Sequence, residues 1–378
     1  MRKEKILFYS PGGVDNISGG EVSLLLILLN LKNYEPHVLL DRHTQFWRRL
    51  EAENVALHLL EKKRKVVPIL GSILSLLAYN IAVFKLVRKT GATILHANNS
   101  EAMQNALLAC LFTGTKLVFN IRGTPNIGFK WNVLLAFSHA VITNSNELSD
   151  HVVKKSGGWV KSSLKKKIFG VYSGLDLSKT TVLDPAFKVN QGVDESKVQI
   201  AMVGAVRPLK QQLELIRQVV PKVISKSPNC VFNIIGSADY GDEAYYHDCQ
   251  SAIEQLELTR FVRLIPFNDQ MANWYSSMDF TVLVSKKEGL ARVMIEGMSY
   301  GTPMISFAVS SAREVLEGGH AGVVVPCNDF EGMAVAIISL ANDKSQVKIF
   351  SKNSSAYVKR HFDIKVTAEN YENIYRKL

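Results

Sequence analysis

The chain has 378 residues, of which 47% are hydrophobic and 21% charged. That balance excludes a disordered or fibrous protein, and the length suffices for two ordinary α/β domains. The formal net charge of +11 is unevenly spread: residues 1–190 hold 25 Lys and Arg against 13 Asp and Glu, residues 191–378 hold 20 against 21. A basic first half points to an anionic partner such as a membrane surface, a nucleic acid or a phosphorylated acceptor; the plainer reading is a solvated basic surface. Cys110, Cys230, Cys249 and Cys327 are far apart, with no C-x-x-C pair or His at ligand spacing. They read as buried thiols in a reducing compartment, with no disulfide framework and no metal site. The opening MRKEKILFYSPGG has too short an apolar run for a secretory signal, so the expected location is cytoplasmic.

Strand candidates in the first half are KILFYS (5–10), HVLLD (37–41), ATILHA (92–97), KLVFNI (116–121) and AVITNS (140–145). Between the first two lies SPGGVDNISGGEVSLLLILLNL (10–31), where Gly12, Gly13, Gly19 and Gly20 precede a helix expected to start at Glu21 or Val22. This loop does not fit G-x-G-x-x-G, no phosphate-binding G-x-x-x-x-G-K-[ST] occurs, and Gly236 to Gly241 has that spacing but is followed by Asp242. Asp41 ends HVLLD where the ribose-binding acid of dinucleotide folds stands, which keeps an NAD-linked reading open.

KKRK (62–65), an uncharged run (66–84) and KLVRK (85–89) follow. Nineteen uncharged residues approach a membrane-spanning length, but Pro68, Gly71, Ser72, Ser75 and Asn80 dilute them and the sheet pattern needs a covering helix here. Two readings stand: a helix of the core, or one whose basic flanks, with KSSLKKK (161–167), touch anionic lipid.

Composition loosens over 176–197, which places the boundary between domains 1–185 and 190–363. The second half repeats the strand pattern at 199–204, 231–236, 261–266, 280–285, 303–307 and 322–326. Continuous rather than alternating apolar runs imply strands covered on both faces, hence two parallel sheets flanked by helices. A last helix (364–378) with Val366, Tyr371, Ile374 and Tyr375 needs a surface and is expected to cross back to the first domain.

Two segments of the second half carry chemistry. In AMVGAVRPLKQQLELIRQV (201–219) Gly204 closes a strand and Pro208 suits a first helical turn. Arg207 and Lys210, three apart, would then share a face at the sheet's mouth. In VSKKEGLARVMIEGMSYGTPMISF (284–307) a turn with Glu288 and Gly289 leads into a helix near Leu290 or Ala291. Free N–H groups and the helix dipole there suit a phosphate. Glu288 and Glu296 would both face the carboxyl edge of the sheet, where each carboxylate can accept two sugar hydroxyls; the alternative is that Glu296 merely pairs with a cation on its own helix.

Together these segments resemble the family 4 retaining glycosyltransferases of the GT-B fold, over nearly the whole chain and most strongly from 198 to 328. Two glutamates with seven residues between them, flanked by Ser285, Gly289, Gly301 and Pro303, match the family signature. The resemblance implies two Rossmann-like parallel-sheet domains facing each other across a cleft, with the donor held mainly by the second. It puts Glu288 at the transferred sugar as the catalytic group, Glu296 on the ribose, Lys210 on the diphosphate with Arg207 beside it, and the N–H groups of Gly289, Leu290 and Ala291 on phosphate. SGGE (18–21) assigns Gly19 and Gly20 to the donor side, and SGLD (173–176) matches before the linker. ITNS (142–145) makes Asn144, with Arg122, an acceptor-side candidate.

What it implies is transfer of a hexose or N-acetylhexosamine from a UDP- or GDP-sugar, without cofactor or obligatory metal. The acceptor would be a glycan or a lipid-linked molecule in cell-surface polysaccharide or glycolipid assembly. Three departures stand out. Ala205 replaces the arginine that often follows the strand's glycine. Arg122 replaces a frequent histidine and cannot act as a base at neutral pH. Pro266 replaces a glycine in the base-binding loop. Rival readings are a non-catalytic sugar-nucleotide-binding module and an NAD-linked oxidoreductase. A nucleic-acid binder lacks any recognisable motif.

Overall fold

A computed structural model describes residues 3–11, 17–61, 70–178, 183–238 and 241–378, with the side chains of 70–73 set aside. The chain divides into unit 1, Met1–Asp176 with Asp363–Leu378, and unit 2, Leu177–Phe362.

Unit 1 contains β1 (Glu4–Tyr9), α1 (Gly19–Asn30), β2 (Tyr34–Leu40), α2 (Gln45–Ala52), β3 (Ala56–Leu59), α3 (Leu70–Thr90), β4 (Ile94–Ala97) and α4 (Ser100–Thr113). These are followed by β5 (Lys116–Ile121), α5 (Phe129–Phe137), β6 (Ala140–Thr143), α6 (Asn146–Lys155), α7 (Gly158–Leu164) and β7 (Ile168–Gly170). The seven strands are all parallel in the order β3-β2-β1-β4-β5-β6-β7. Apolar residues of α3 to α7, among them Val83, Met103, Leu135, Leu148 and Leu164, cover one face. Those of α1 and α2, such as Leu24, Leu28 and Phe46, cover the other. Starts and stops follow local chemistry: Asn99 and Ser145 cap α4 and α6 by accepting the Ala102 and Leu148 N–H groups, and Gly114 ends α4 at φ 72°.

Unit 2 holds α8 (Phe187–Asn190), β8 (Val198–Val203), α9 (Gln212–Glu214), α10 (Val220–Lys226), β9 (Cys230–Ile235), α11 (Glu243–Gln255), β10 (Val262–Ile265), α12 (Met271–Ser276) and β11 (Phe280–Leu283). It continues with α13 (Arg292–Ser299), β12 (Met304–Phe307), β13 (Gly322–Val325), α14 (Phe330–Ala341) and α15 (Lys344–His361). A π-helical turn, Leu215–Val219, joins α9 to α10. Its six parallel strands run β10-β9-β8-β11-β12-β13. Both sheets thus have the doubly wound order with a switch point, between β1 and β4 in unit 1 and between β8 and β11 in unit 2. Crossovers depart to opposite sides there and leave a crevice at the carboxyl edge.

The sequence put the boundary at 185–190, and the structure moves it to 176. The reason is Phe187, which is buried edge-on against Trp274 at 4.9 Å, while the Asp184 N–H donates to Asn273 at 2.9 Å; this stretch is therefore core of unit 2. The returning helix α16 (Ile364–Tyr375) belongs to unit 1. Leu175 and Asp363 form a parallel bridge, and Gly174 lies so close to Ile364 that a Cβ there would meet its Cα at 2.6 Å. Glu372 accepts the Lys32 and Asn33 N–H groups at 2.6 and 2.8 Å, so the last helix satisfies backbone donors of the turn that follows α1. Tyr371, Ile374 and Tyr375 are buried as expected of an apolar face, but Val366 is exposed.

Other expectations also change. Helix α1 begins at Gly19, because Ser18 and Glu21 form a reciprocal capping box two residues before the expected start. Cys327 is exposed, unlike the other three cysteines. Gly12, Gly13, KKRK (62–65) and the beginning of the uncharged run (66–69) lie outside the described residues. Among the described residues no helix is long and apolar enough to cross a membrane. Of KSSLKKK, Lys167 turns inward and donates to the Ala136 and Ser138 carbonyls at 2.9 and 2.6 Å.

Candidate functional site

At the switch point of unit 2 the loops after β8 and β11 are fastened together. The Lys286 N–H donates to the Leu209 carbonyl at 2.9 Å, and Lys210 Nζ meets Glu288 Oε1 at 2.5 Å. Both side chains are 14% exposed, so the pair is screened from most of the solvent yet remains reachable from the edge. The helix expected from Pro208 onward is absent. Residues 207–210 form a turn, closed by the Lys210 N–H on the Arg207 carbonyl at 2.9 Å, and Gln211 at φ 61° diverts the chain before α9 starts at Gln212. Arg207 and Lys210 therefore share a turn, not a helical face.

Two features of this turn were not found by sequence reasoning. Gln212, fully buried, donates to the Ala205 carbonyl at 2.9 Å and its Oε1 accepts the Arg207 N–H at 3.4 Å, pinning both ends of the loop. Gln211 donates to Asn328 at 3.3 Å, which ties the turn to the loop after β13. Only a run of polar residues at 211–212, where an apolar helix was expected, could have hinted at this. Gly204 is required by its backbone, at φ 145°; a Cβ there would only come into ordinary contact, 3.8 Å, with Lys210 Cε.

Downstream of Glu288 and Gly289, Leu290 and Ala291 are buried and α13 begins at Arg292, one residue later than expected. Ala291 stands at the N-cap and offers no side-chain acceptor to the first turn, where the helix dipole is positive. Glu296, one turn further along, receives Arg292 Nε on Oε1 at 3.2 Å and the Tyr275 hydroxyl on Oε2 at 3.4 Å. The same-helix cation pairing named as the alternative is thus present. Burial, reinforced by the Glu296 carboxylate, pushes the Tyr275 phenol well above its usual range and keeps it a donor. Among the described residues, Ser285 Oγ and Gln211 Oε1 are buried at this edge without a hydrogen-bond partner.

The unit 1 candidates gather at their own switch point. Arg122, just after β5, donates from Nη1 to the Gly20 carbonyl at 3.0 Å and from Nε to Asn98 Oδ1 at 3.2 Å. Asn144 in turn donates to the Arg122 carbonyl at 2.9 Å, and Asn98 donates to Ser10 at 3.0 Å. Gly20 faces the Arg122 stem, where a Cβ would come within 3.8 Å; Gly19 opens α1 beside it. Below them His96 is fully buried against the Tyr375 hydroxyl at 2.9 Å, and burial together with the Arg122 charge pushes its pKa down to about 3. Asp41 is buried and lies 3.6 Å from Arg42 Nε.

Residues 197–343 match the family model described as glycosyl transferases group 1. A D-inositol 3-phosphate glycosyltransferase of Kribbella flavida is 25% identical over 49% of this chain and 45% of its own length; the chain spans about half the length of this and similar relatives. The capsular polysaccharide biosynthesis glycosyltransferase CapM of Staphylococcus aureus is 24% identical over 92% of this chain and 91% of its own. Among solved structures, Anabaena Alr3699/HepE in complex with UDP superposes with a TM-score of 0.82 at 19% identity, covering 99% of this chain and 100% of that one. The fold is that of the GT-B glycosyltransferases.

Proposed function

We propose that this chain, whose residues 197–343 match the glycosyl transferases group 1, moves a hexose or N-acetylhexosamine from a UDP- or GDP-sugar to a glycan or lipid-linked acceptor, with retention at the anomeric carbon. The reading extends to cell-surface polysaccharide or glycolipid assembly at the cytoplasmic face of a membrane. The observation that carries it is the Lys210–Glu288 pair, held at the switch point of unit 2 one short loop before the start of α13.

As the sugar–phosphate bond breaks, negative charge gathers on the departing diphosphate. In this reading Lys210 and Arg207 neutralise it, and the N–H groups of Gly289, Leu290 and Ala291 bind a phosphate oxygen. Lys210 exchanges its carboxylate partner for phosphate, which releases Glu288 to the transferred sugar. Glu296, its oxygens already oriented by Arg292 and Tyr275, accepts the ribose hydroxyls. Ser285 Oγ and Gln211 Oε1 are buried polar groups that a polar ligand would satisfy. In unit 1 the same reading assigns Gly19 and Gly20 to the donor side, and Arg122 and Asn144 to the acceptor. Charge neutralisation by side chains and helix terminus lets the transfer proceed without added metal.

Thermal-shift titration against UDP, GDP, NAD and their sugar derivatives, without added metal, tests this. Selective stabilisation by one nucleoside diphosphate and its sugars is the expected result. Stabilisation by NAD alone would overturn it in favour of a dehydrogenase. Stabilisation by a sugar nucleotide, with no product from any acceptor pool, would instead indicate a binding module.

A further inference from the structure

Unit 1 carries the whole net charge of the protein, 26 Lys and Arg against 15 Asp and Glu, whereas unit 2 carries 19 of each. Its exposed apolar side chains are equally one-sided. On the face of α1, α2 and α16, the large ones among the described residues are Leu29 and Val366. All the others lie on the outer side of α3, α4, α5 and α7. Leu77, Ile81, Phe84, Leu108 and Phe112 line an apolar groove of about 210 Å³ between α3 and α4, with Leu74 exposed beyond it. A second groove, between α4 and α5, is lined by Leu107, Leu111 and Phe137. Phe129 and Trp159 continue the row on α5 and α7. Phe112 and Phe129 are each 80% exposed and Trp159 63%, far beyond what a layer covering a sheet needs.

The charges of α3, α5 and α7 have one sign: these helices contain Lys85, Arg88, Lys89, Lys130 and Lys161 and no Asp or Glu, while α4 adds Glu101 and α6, in the same layer, carries Glu147 and Asp150 beside Lys154 and Lys155. A protein partner's apolar patch would not call for this, but an anionic lipid surface does: aromatic and aliphatic side chains enter the interface while Lys and Arg meet headgroups. We infer that the outer face of α3, α4, α5 and α7 docks on an anionic bilayer, with Phe112, Ile81 and Phe129 as inserted anchors. This deepens the membrane part of the proposed function and is independent of the donor chemistry, so loss of vesicle binding with an intact nucleotide response would refute this inference alone.

Flotation of the purified protein with vesicles of phosphatidylcholine mixed with phosphatidylglycerol provides the test, against phosphatidylcholine vesicles as reference. The protein is expected to float with the anionic vesicles at low salt, and to be partly released as salt rises. Ile81→Glu with Phe112→Glu should weaken binding at least tenfold, roughly the loss of one buried side chain. Lys85→Gln, Arg88→Gln and Lys89→Gln should weaken it by about fivefold per charge. Leu29→Glu, on the opposite face, should float like the original protein, and unchanged melting curves show that each variant folds. The inference is overturned if the protein ignores anionic vesicles, or if both groups of variants float as well as the original. It also falls if sedimentation reveals a lipid-free dimer that Phe112→Glu dissociates, since a second copy then covers this face.

Discussion

Each sheet places a cation near the carboxyl end of its switch-point strands, and the two cations are held in opposite ways. Lys210 in unit 2 meets a carboxylate, Glu288, and both side chains keep 14% of their surface exposed. Arg122 in unit 1 is clamped by neutral oxygens of Asn98 and Gly20 on two other elements. An ammonium on a long stem can change partners without moving the backbone, whereas a guanidinium bonded to two elements at fixed angles is part of the frame. A cation at the carboxyl edge is thus held by an opposite charge after β8 of unit 2 and by neutral oxygens after β5 of unit 1.

Lys210→Ala and Arg122→Ala put that contrast at risk. Removing Lys210 should lower turnover about 100- to 1,000-fold, the usual consequence of losing one donor to developing charge, with little change in melting temperature. Removing Arg122 deletes its charge-assisted bonds to the Asn98 oxygen, which keeps Asn120 as a donor at 3.3 Å, and to the Gly20 carbonyl. That should cost about 1–3 kcal/mol of stability, a fall of about 2–4 °C per kcal/mol for a unit of this size. Steady-state kinetics and melting curves on both variants suffice. If Lys210→Ala melts as early as Arg122→Ala and keeps its turnover, the two cations play the same structural role.

Acid sharpens the comparison next. His96 sits fully buried in unit 1 with its pKa pushed to about 3, against an unfolded value near 6.5. Between those values the unfolded chain binds the extra proton. The stability from neutral His96 is therefore complete above about pH 6.5 and is lost as pH falls toward 3, by up to about 1.4 kcal/mol per unit. His58 and His139 of unit 1 are shifted downward too, by burial first and then by neighbouring positive charge, and add in the same direction. In unit 2 His361 is lowered likewise, by burial and then Arg360, against His96, His58 and His139 in unit 1; unit 1 should therefore loosen first on acidification, and His96→Gln should flatten the slope between pH 6.5 and 5. A His96→Gln profile parallel to the original would remove His96 as the cause.

Much of this was legible because buried parallel strands announce themselves. The six strands of unit 2 and five of unit 1 are continuous apolar runs, and E-G-L-A-R-V-M-I-E states its glutamate spacing openly. The edge strands β3 and β7 went unread, since ALHL and IFG are short and only partly buried, with little contrast to a loop. The Lys210–Glu288 pair spans 78 positions, so no local spacing reveals it. The turn at 207–211 depends on one left-handed residue, Gln211, a type with no strong preference for that conformation. Pairing of Glu296 with Arg292 was legible as i,i+4 neighbours but competed with the ligand role; in the fold the two coexist, because Arg292 engages Oε1 and Tyr275 engages Oε2.

The smallest effect concerns the start of α1, where Gly19 and Gly20 stand. Ser18 Oγ accepts the Glu21 N–H at 3.3 Å, and Glu21 Oε2 accepts the Ser18 N–H at 2.8 Å, so the helix start is set by its own residues. Ser18→Ala deletes one half of this box and should cost about 1 kcal/mol, a drop of about 2–4 °C for a unit of this size. Ser18→Thr keeps both the acceptor and the hydroxyl that donates to Glu21 Oε2 at 2.8 Å, and should restore most of it. The nucleotide response separates structure from ligand contact. If Ser18→Ala lowers melting but leaves the shift induced by UDP or GDP intact, the box serves only the frame that holds Gly20 against Arg122. If the nucleotide shift shrinks while melting of the free protein holds, the loop before α1 touches the donor, and unit 1 then has an exchangeable contact of its own.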